Sequence, residues 1–207
     1  MTRRNLWTYM VAILFALSLT VLASGQAKKG QTAAASAKHP AVVMDTTMGT
    51  IKIEVLTDKA PVTAKNFLDY VSSGFYDGTI FHRVIPNFVV QGGGYLQNMA
   101  PKPTKAPIKN ESKNGLKNLR GTLSMARYTD PDSATSQFFI NLKDNSNLDP
   151  ENAAGGWGYA VFAKVIEGMD VVDKIAAVKT GTKNVMGTPF GDVPLQPVIV
   201  KSAKVLQ

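Results

Sequence analysis

From Ala41 onward the apolar residues recur at two spacings, and the change from one to the other divides the chain into elements. Val42 to Thr46 reads as one strand, and Ile51, Ile53 and Val55 alternate with Lys52 and Glu54 in a second. A period of two places every other side chain on one face, as in a half-buried strand. Thr47, Met48 and Gly49 supply the turn between them, so the opening is a β-hairpin. After Pro61 the spacing becomes helical. Ala64, Phe67, Leu68 and Val71 form one apolar stripe, and Gly74 stands where a C-terminal cap is expected. Pro61 suits the first helical position, where its missing N–H leaves no bond unmade. A second helix is expected from Met169 to about Val178, with Met169, Val172, Ile175 and Ala176 on one face.

The rest of the chain is a series of short β runs. They are Phe81 to Ile85, Phe88 to Gln91 (ended by Gly92, Gly93 and Gly94), Gly121 to Ala126, Gln137 to Leu142, Tyr159 to Val165 and Pro197 to Val205. Many short strands and two helices, with no βαβ alternation, predict a mainly β domain built on a closed or nearly closed antiparallel sheet.

The first 40 residues follow different rules. Arg3 and Arg4 precede an apolar run from Leu6 to Leu22, and the small residues Ala23, Ser24 and Gly25 follow it. That order predicts a secretory signal peptide over residues 1–25, cut after Gly25 or Ala27, and a periplasmic or secreted bacterial address. The alternative is an uncleaved membrane anchor; after cleavage no membrane insertion is expected. Residues 26–40 are rich in Ala, Ser, Gln, Thr and Lys and read as a flexible tether. The folded domain is then expected over 41–207, long enough for one core.

Charge and cysteine content narrow the chemistry. The formal net charge is +8, but Lys102, Lys105, Lys109, Lys113 and Lys117 are dispersed among Pro, Asn and Gly, with no interleaved aromatics. This describes a solvated basic face and not a nucleic-acid surface. The absence of cysteine excludes disulfides, thiolate catalysis, cysteine-ligated zinc and a lipoprotein anchor. The two histidines, His39 and His82, have no third ligand at metal-binding spacing, so no metal is expected. No serine lies in a nucleophile elbow, and the glycines at 92–94 lack the Lys-Ser/Thr of a phosphate loop; they read as a loop leaving a strand end.

Two segments stand out. Phe81-His82-Arg83-Val84-Ile85-Pro86-Asn87-Phe88-Val89-Val90-Gln91-Gly92-Gly93 carries a permanent cation inside an apolar run. Burying it costs several kcal/mol unless partners satisfy it, and from this segment alone a structural ion pair explains it as well as a functional role does. In Ser136-Gln137-Phe138-Phe139-Ile140-Asn141, strand geometry sends one phenylalanine to the core and leaves the other for a pocket or for further packing.

These two segments, with Leu123-Ser124-Met125-Ala126, Gly158-Tyr159-Ala160-Val161-Phe162-Ala163-Lys164-Val165 and Glu167-Gly168-Met169, resemble the cyclophilins, in order and over nearly the whole chain after Val42. The bacterial periplasmic type is the nearest in character. The resemblance implies an eight-stranded antiparallel closed barrel capped by two α-helices, and peptidyl-prolyl cis-trans isomerase (rotamase) activity on proline-containing polypeptides, without cofactor; a monomer is expected. It implies that Arg83 and Gln91 are catalytic. It further implies that Phe88, Val89, Phe139, Leu148 and Tyr159 line an apolar proline pocket, and that Met125, Ala126 and Arg127 run beside the extended peptide. Val89, Tyr159, Arg127 and Asn147 stand where methionine, histidine, asparagine and tryptophan are common in the family. Arg127 suggests a preference for acidic residues near the proline, and Asn147 weak cyclosporin binding. Pro150 to Trp157 is an insertion. The competing reading is a chaperone that grips proline segments with little catalysis.

Overall fold

The computed structural model describes residues 39–185 and 187–206, so the expected signal peptide and most of the tether lie outside the described residues. Ten strands are formed: β1 (Ala41–Thr46), β2 (Gly49–Val55), β3 (Thr79–Ile85), β4 (Val89–Leu96), β5 (Thr122–Met125), β6 (Phe138–Asn141), β7 (Val161–Glu167), β8 (Thr180–Val185), β9 (Thr188–Pro194) and β10 (Val200–Val205). Helices α1 (Pro61–Ser72) and α2 (Met169–Ala176) fall where the periodicity predicts them.

Eight strands form one antiparallel sheet in the order β10-β1-β2-β7-β5-β6-β4-β3. Its two ends meet. Ile80 bridges Ile199, the Gly78 N–H donates to Val200 O at 2.8 Å, and the Phe81 N–H donates to Val198 O at 3.0 Å. The sheet is therefore a nearly closed barrel, which leaves little free edge for another chain to pair with.

The alternation in the opening hairpin is the alternation of burial. Val42, Met44, Ile51, Ile53 and Val55 are all fully buried, while their polar neighbours face outward. Helix α1 inserts Phe67 among Tyr76, Phe138 and Phe162, with ring centroids 5.1–5.6 Å apart. Tilted and edge-on pairs of this kind add ~0.5–1.5 kcal/mol each beyond area burial. No residue of α1 caps its own N-terminus. The Glu111 carboxylate does so from a distant loop, accepting from the Val62 and Thr63 N–H groups at 3.0 and 2.8 Å. Negative charge is favoured there by the helix dipole. Helix α2 lays Val171 against Gly49, so closely that a Cβ on that glycine would stand 2.8 Å from Val171 Cγ2.

The structure departs from the sequence reading in three places. Gly92, Gly93 and Gly94 do not end a strand; they lie inside β4. Side chains of neighbouring elements occupy the space their own would need. A Cβ on Gly92 would meet Phe81 at 2.8 Å, and one on Gly94 would meet Gln137 Cγ at 2.6 Å. The β8–β9 hairpin was not foreseen. Its segment is rich in Thr, Gly, Asn and Lys, and only Val193 is fully committed to the small second core formed with Ile80 and Met99. Finally, strand limits move by one to three residues, so that Phe88, Ala126 and Tyr159 fall in connecting segments. Each connection is held by bonds outside the ladder, such as Ala126 N–H to Gln137 O at 3.0 Å.

Candidate active site

The site is built on the β3–β4–β6 ladder. Phe81 pairs with Gly92, and Arg83 pairs with Gln91, so two residues on β3 advance against one on β4. This bulge at His82 re-aims the side chains around it. Gln91 in turn pairs with Phe139 of β6, and Val89 with Asn141.

Arg83 is half-buried, and among the described residues no carboxylate pairs with it; its Nη1 donates to Gln91 Oε1 at a long 3.4 Å. Gln91 Nε2 donates to Gln137 Oε1 at 3.0 Å, which fixes the amide orientation that turns its oxygen toward Arg83. The cation therefore spends little of its hydrogen-bonding capacity on the protein. Arg83, Gln91, Ala126, Arg127 and Gln137 line one cavity of about 230 Å³, with Tyr128 at its edge, 76% exposed. His82 also borders it. Its ring packs against Tyr95 at 4.7 Å, and burial, reinforced by the Arg83 charge, pushes its pKa down to about 4. It is neutral near pH 7 and adds no charge beside Arg83.

The residues expected around the proline ring come from separate elements and do not line the cavity that holds Arg83. Phe138 is fully buried in the main core, while Phe139 meets the Tyr159 ring edge-on at 5.4 Å. The Tyr159 N–H donates to Leu148 O at 3.0 Å, which brings the short 3-10 helix Ser146–Leu148 alongside. Gly158 is pressed onto that helix's exit; a Cβ there would lie 2.4 Å from Leu148 O. Phe88 sits in the β3–β4 turn. Its carbonyl accepts from Leu142 N–H at 2.9 Å and from Asn145 Nδ2 at 3.0 Å, which ties the turn to the same loop. Val89 and Met125 are each only 2% exposed, and Met125 packs in the main core.

A buried polar network underlies this loop. Asp149 Oδ1 accepts from both Asn118 N–H and Asn118 Nδ2 at 2.8 Å. Ser124 Oγ donates to Asn118 Oδ1 at 2.7 Å, and Asn145 Nδ2 donates to Asn141 Oδ1 at 2.8 Å. Asn118, Ser124, Asn141, Asn145 and Asp149 are all buried. Low local polarity strengthens such bonds and makes a missing one expensive.

The structure thus brings Arg83, Gln91, Ala126 and Arg127 to one cavity, and Phe139, Leu148 and Tyr159 to an adjoining wall. The two groups join through the Gln91–Phe139 pair and through Arg127, whose Cζ stands 4.8 Å over the Tyr159 ring. Sequence reading missed Gln137, although it lies inside a quoted motif, because its role depends on a cross-strand contact. It also missed Phe190, which lines the cavity from the unforeseen hairpin. Among the described residues no cluster of His, Cys, Asp or Glu could hold a metal ion.

Comparison with known proteins is consistent throughout. The family model for cyclophilin type peptidyl-prolyl cis-trans isomerases matches residues 41–205. The chain is 50% identical over 198 residues to peptidyl-prolyl cis-trans isomerase A of Dickeya dadantii, covering 96% of this chain and 97% of that one. It is 57% identical over 164 residues to a peptidyl-prolyl cis-trans isomerase of Acinetobacter baylyi, covering 79% and 84%. Among solved structures, a Cryptosporidium parvum cyclophilin type isomerase, crystallised in the presence of the dipeptide Ala-Pro, superposes with a TM-score of 0.65 at 26% identity, over 81% of this chain and 99% of that one.

Proposed function

The chain belongs to the cyclophilin-type peptidyl-prolyl cis-trans isomerases and accelerates rotation about X-Pro bonds, and from that premise we propose that Arg83 is its catalytic group. Resonance gives peptide rotation a barrier of ~18–20 kcal/mol, and uncatalysed prolyl isomerisation takes tens to hundreds of seconds. An ordinary turnover of ~10–1,000 per second needs that barrier lowered by about 4–7 kcal/mol. Fixed charges and binding can supply this without any covalent step.

As the amide twists, the prolyl nitrogen becomes pyramidal and its lone pair localises. A donor aimed at that nitrogen, or at the turning carbonyl oxygen, favours the twisted form over the planar one. Arg83 suits the role because it cannot lose its proton at physiological pH. Gln91, oriented by Gln137, shares the substrate backbone with it. Phe88, Phe139, Leu148 and Tyr159 receive the proline ring, with Val89 and Met125 behind them. The Ala126 N–H is bonded to Gln137 O, which leaves the Ala126 carbonyl and the Arg127 backbone to align the extended peptide.

The observation that carries this reading is a half-buried guanidinium facing a cavity with a glutamine, and not a carboxylate, as its protein partner. The test is an isomerisation assay on a prolyl peptide with Arg83→Ala. We expect kcat/KM to fall about 100–1,000-fold, the loss seen when one transition-state donor is removed, with the melting temperature near that of the wild type. Equal rates would reject the catalytic role and leave a proline-gripping chaperone.

We further propose that residues 1–25 direct export and are removed, that 26–40 tether the domain, and that the mature protein works as a monomer on proteins folding in the periplasm. The alignment with the Dickeya dadantii relative extends over 96% of this chain, beyond the family domain, so most of the segment before Ala41 has a counterpart there. Mass spectrometry of the exported protein would reveal Met1 to Gly25 if they were retained.

A further inference from the structure

The Arg127 side chain lies at the junction of cavity and apolar wall, and its donors are already committed. Nε donates to Gly158 O at 3.3 Å, Nη1 to Tyr128 O at 2.8 Å and to Thr129 O at 3.4 Å, and Nη2 to Trp157 O. Four of the five guanidinium N–H groups are thereby spent on main-chain carbonyls. The plane of the same group stacks over Tyr159, with Cζ 4.8 Å from the ring centroid. Among the described residues no carboxylate pairs with it. A substrate carboxylate would find one free N–H and would have to break the others to gain a bidentate grip.

The carbonyls it holds are not arbitrary. Trp157 and Gly158 immediately precede Tyr159, and Gly158 O also accepts from Asn110 Nδ2 at 3.2 Å. Gly158 lies flat against Leu148 to Pro150, and the Tyr159 N–H is bonded to Leu148 O. One side chain therefore sets the entry of the 157–159 segment and, through it, the placement of two wall residues. The body of the insertion is tied elsewhere, by Asn152 Nδ2 donating to Ser146 O at 2.9 Å, by the Lys117–Glu151 ion pair and by Lys113 4.1 Å over the Trp157 ring, so the Arg127 bonds act on its exit into Tyr159.

We propose that Arg127 is a positioning residue that clamps the Trp157–Tyr159 segment and holds the Tyr159 ring against Phe139, and that its charge does not select acidic residues in the substrate. The proposal rests on Tyr159 forming part of the proline pocket. It differs from the expectation raised by the residue type alone, because geometry has already used the charge.

The experiment compares wild type, Arg127→Ala, Arg127→Lys and Tyr159→Ala, and the Arg127→Ala/Tyr159→Ala double variant, on two prolyl peptides that carry Glu or Lys before the proline. For Arg127→Ala, KM should rise about tenfold while kcat changes less than about twofold, equally for both peptides, because uniform binding is what is lost. Arg127→Lys should show the same loss, since a lysine ammonium cannot span several fixed carbonyls. In the Tyr159→Ala background, Arg127→Ala should add less than about twofold, the signature of two residues acting as one unit. Unchanged kinetics, fully additive losses, or a change of more than about threefold in the Glu-to-Lys preference would each overturn the proposal. Should Arg127→Ala fail to fold, Arg127→Lys alone and in the Tyr159→Ala background decides by the same ratios. Arg83→Ala, run alongside, separates the two ideas: if it keeps full activity the reading of the site is wrong, whereas its loss with normal Arg127 variants removes only the clamp.

Discussion

Replacing Asp149 by alanine should destabilise the protein more than any surface carboxylate would. Asp149 is 4% exposed, and its Oδ1 accepts two bonds from Asn118, which is itself 1% exposed. The substitution strands one main-chain and one side-chain donor where water has little access. Each unsatisfied buried donor costs ~1–3 kcal/mol, so the expected loss is about 2–6 kcal/mol. For a domain of this size each kcal/mol lowers the melting temperature by ~2–4 °C, which makes the drop roughly 4–24 °C. Asp149→Asn keeps an oxygen acceptor at the same place and should lose less than half as much. Because the network also holds the loop that carries Leu148, Asp149→Ala should raise KM for a prolyl peptide before it changes kcat. Denaturant titration, thermal melting and steady-state kinetics on the three proteins test this together. A melting temperature for Asp149→Ala within about 2 °C of wild type, or equal losses for the two variants, would refute the reasoning.

Two further outcomes follow from the geometry. His82 is neutral in the folded protein, with its pKa pushed down to about 4 from an ordinary 6.5. Below pH 6.5 the unfolded chain takes up a proton that the native state refuses. The stability is therefore complete above 6.5 and falls by about 3 kcal/mol as pH drops toward 4. His82→Gln should flatten that portion of the stability–pH curve, and an unchanged slope would count against the assignment. The carboxylates of Glu54, Asp69 and Asp132, held below their ordinary range chiefly by lysine hydrogen bonds, lose their contribution at lower pH in both proteins. Gly94→Ala places a Cβ about 2.6 Å from Gln137 Cγ, and overpacking of this kind costs ~1–3 kcal/mol. It should push Gln137 off Gln91 and lower kcat/KM several-fold in the prolyl-peptide assay; retained kinetics would show that the Gln91–Gln137 bond is dispensable.

The elements most legible in the sequence were those whose periodicity reports burial directly. The β1–β2 hairpin alternates because its inner face enters the core, and α1 and α2 carry stripes because each has one packed side. Legibility failed where small or polar residues do structural work. Gly92 to Gly94 read as a break because they have no side chains, yet they run through β4 because Phe81, Phe138 and Gln137 fill the room they leave. The β8–β9 hairpin gave no signal because it covers only a minor core and exposes most of its length. At the site, residue type alone left Arg83 open between an ion pair and a working cation. In three dimensions Arg83 meets Gln91 and, among the described residues, no carboxylate, which supports the proposed catalytic role. Arg127 runs the other way: its charge suggests recognition, while its N–H groups are bonded to main-chain carbonyls, which supports the proposed positioning role.

The seam between β10 and its two neighbours has a consequence for how this enzyme comes into being. Val42 pairs with Val205, and Ile80 with Ile199, so the last of the described strands is the one that seals the ring. Contacts this distant along the chain are slow to form, because a long loop must close before they are rewarded. A chain still emerging from a ribosome or a translocation channel presents two open sheet margins and cannot yet complete the wall behind β3, on which Arg83 is carried. The wall that carries Arg83 is thus complete only once β10 has taken its place between β1 and β3.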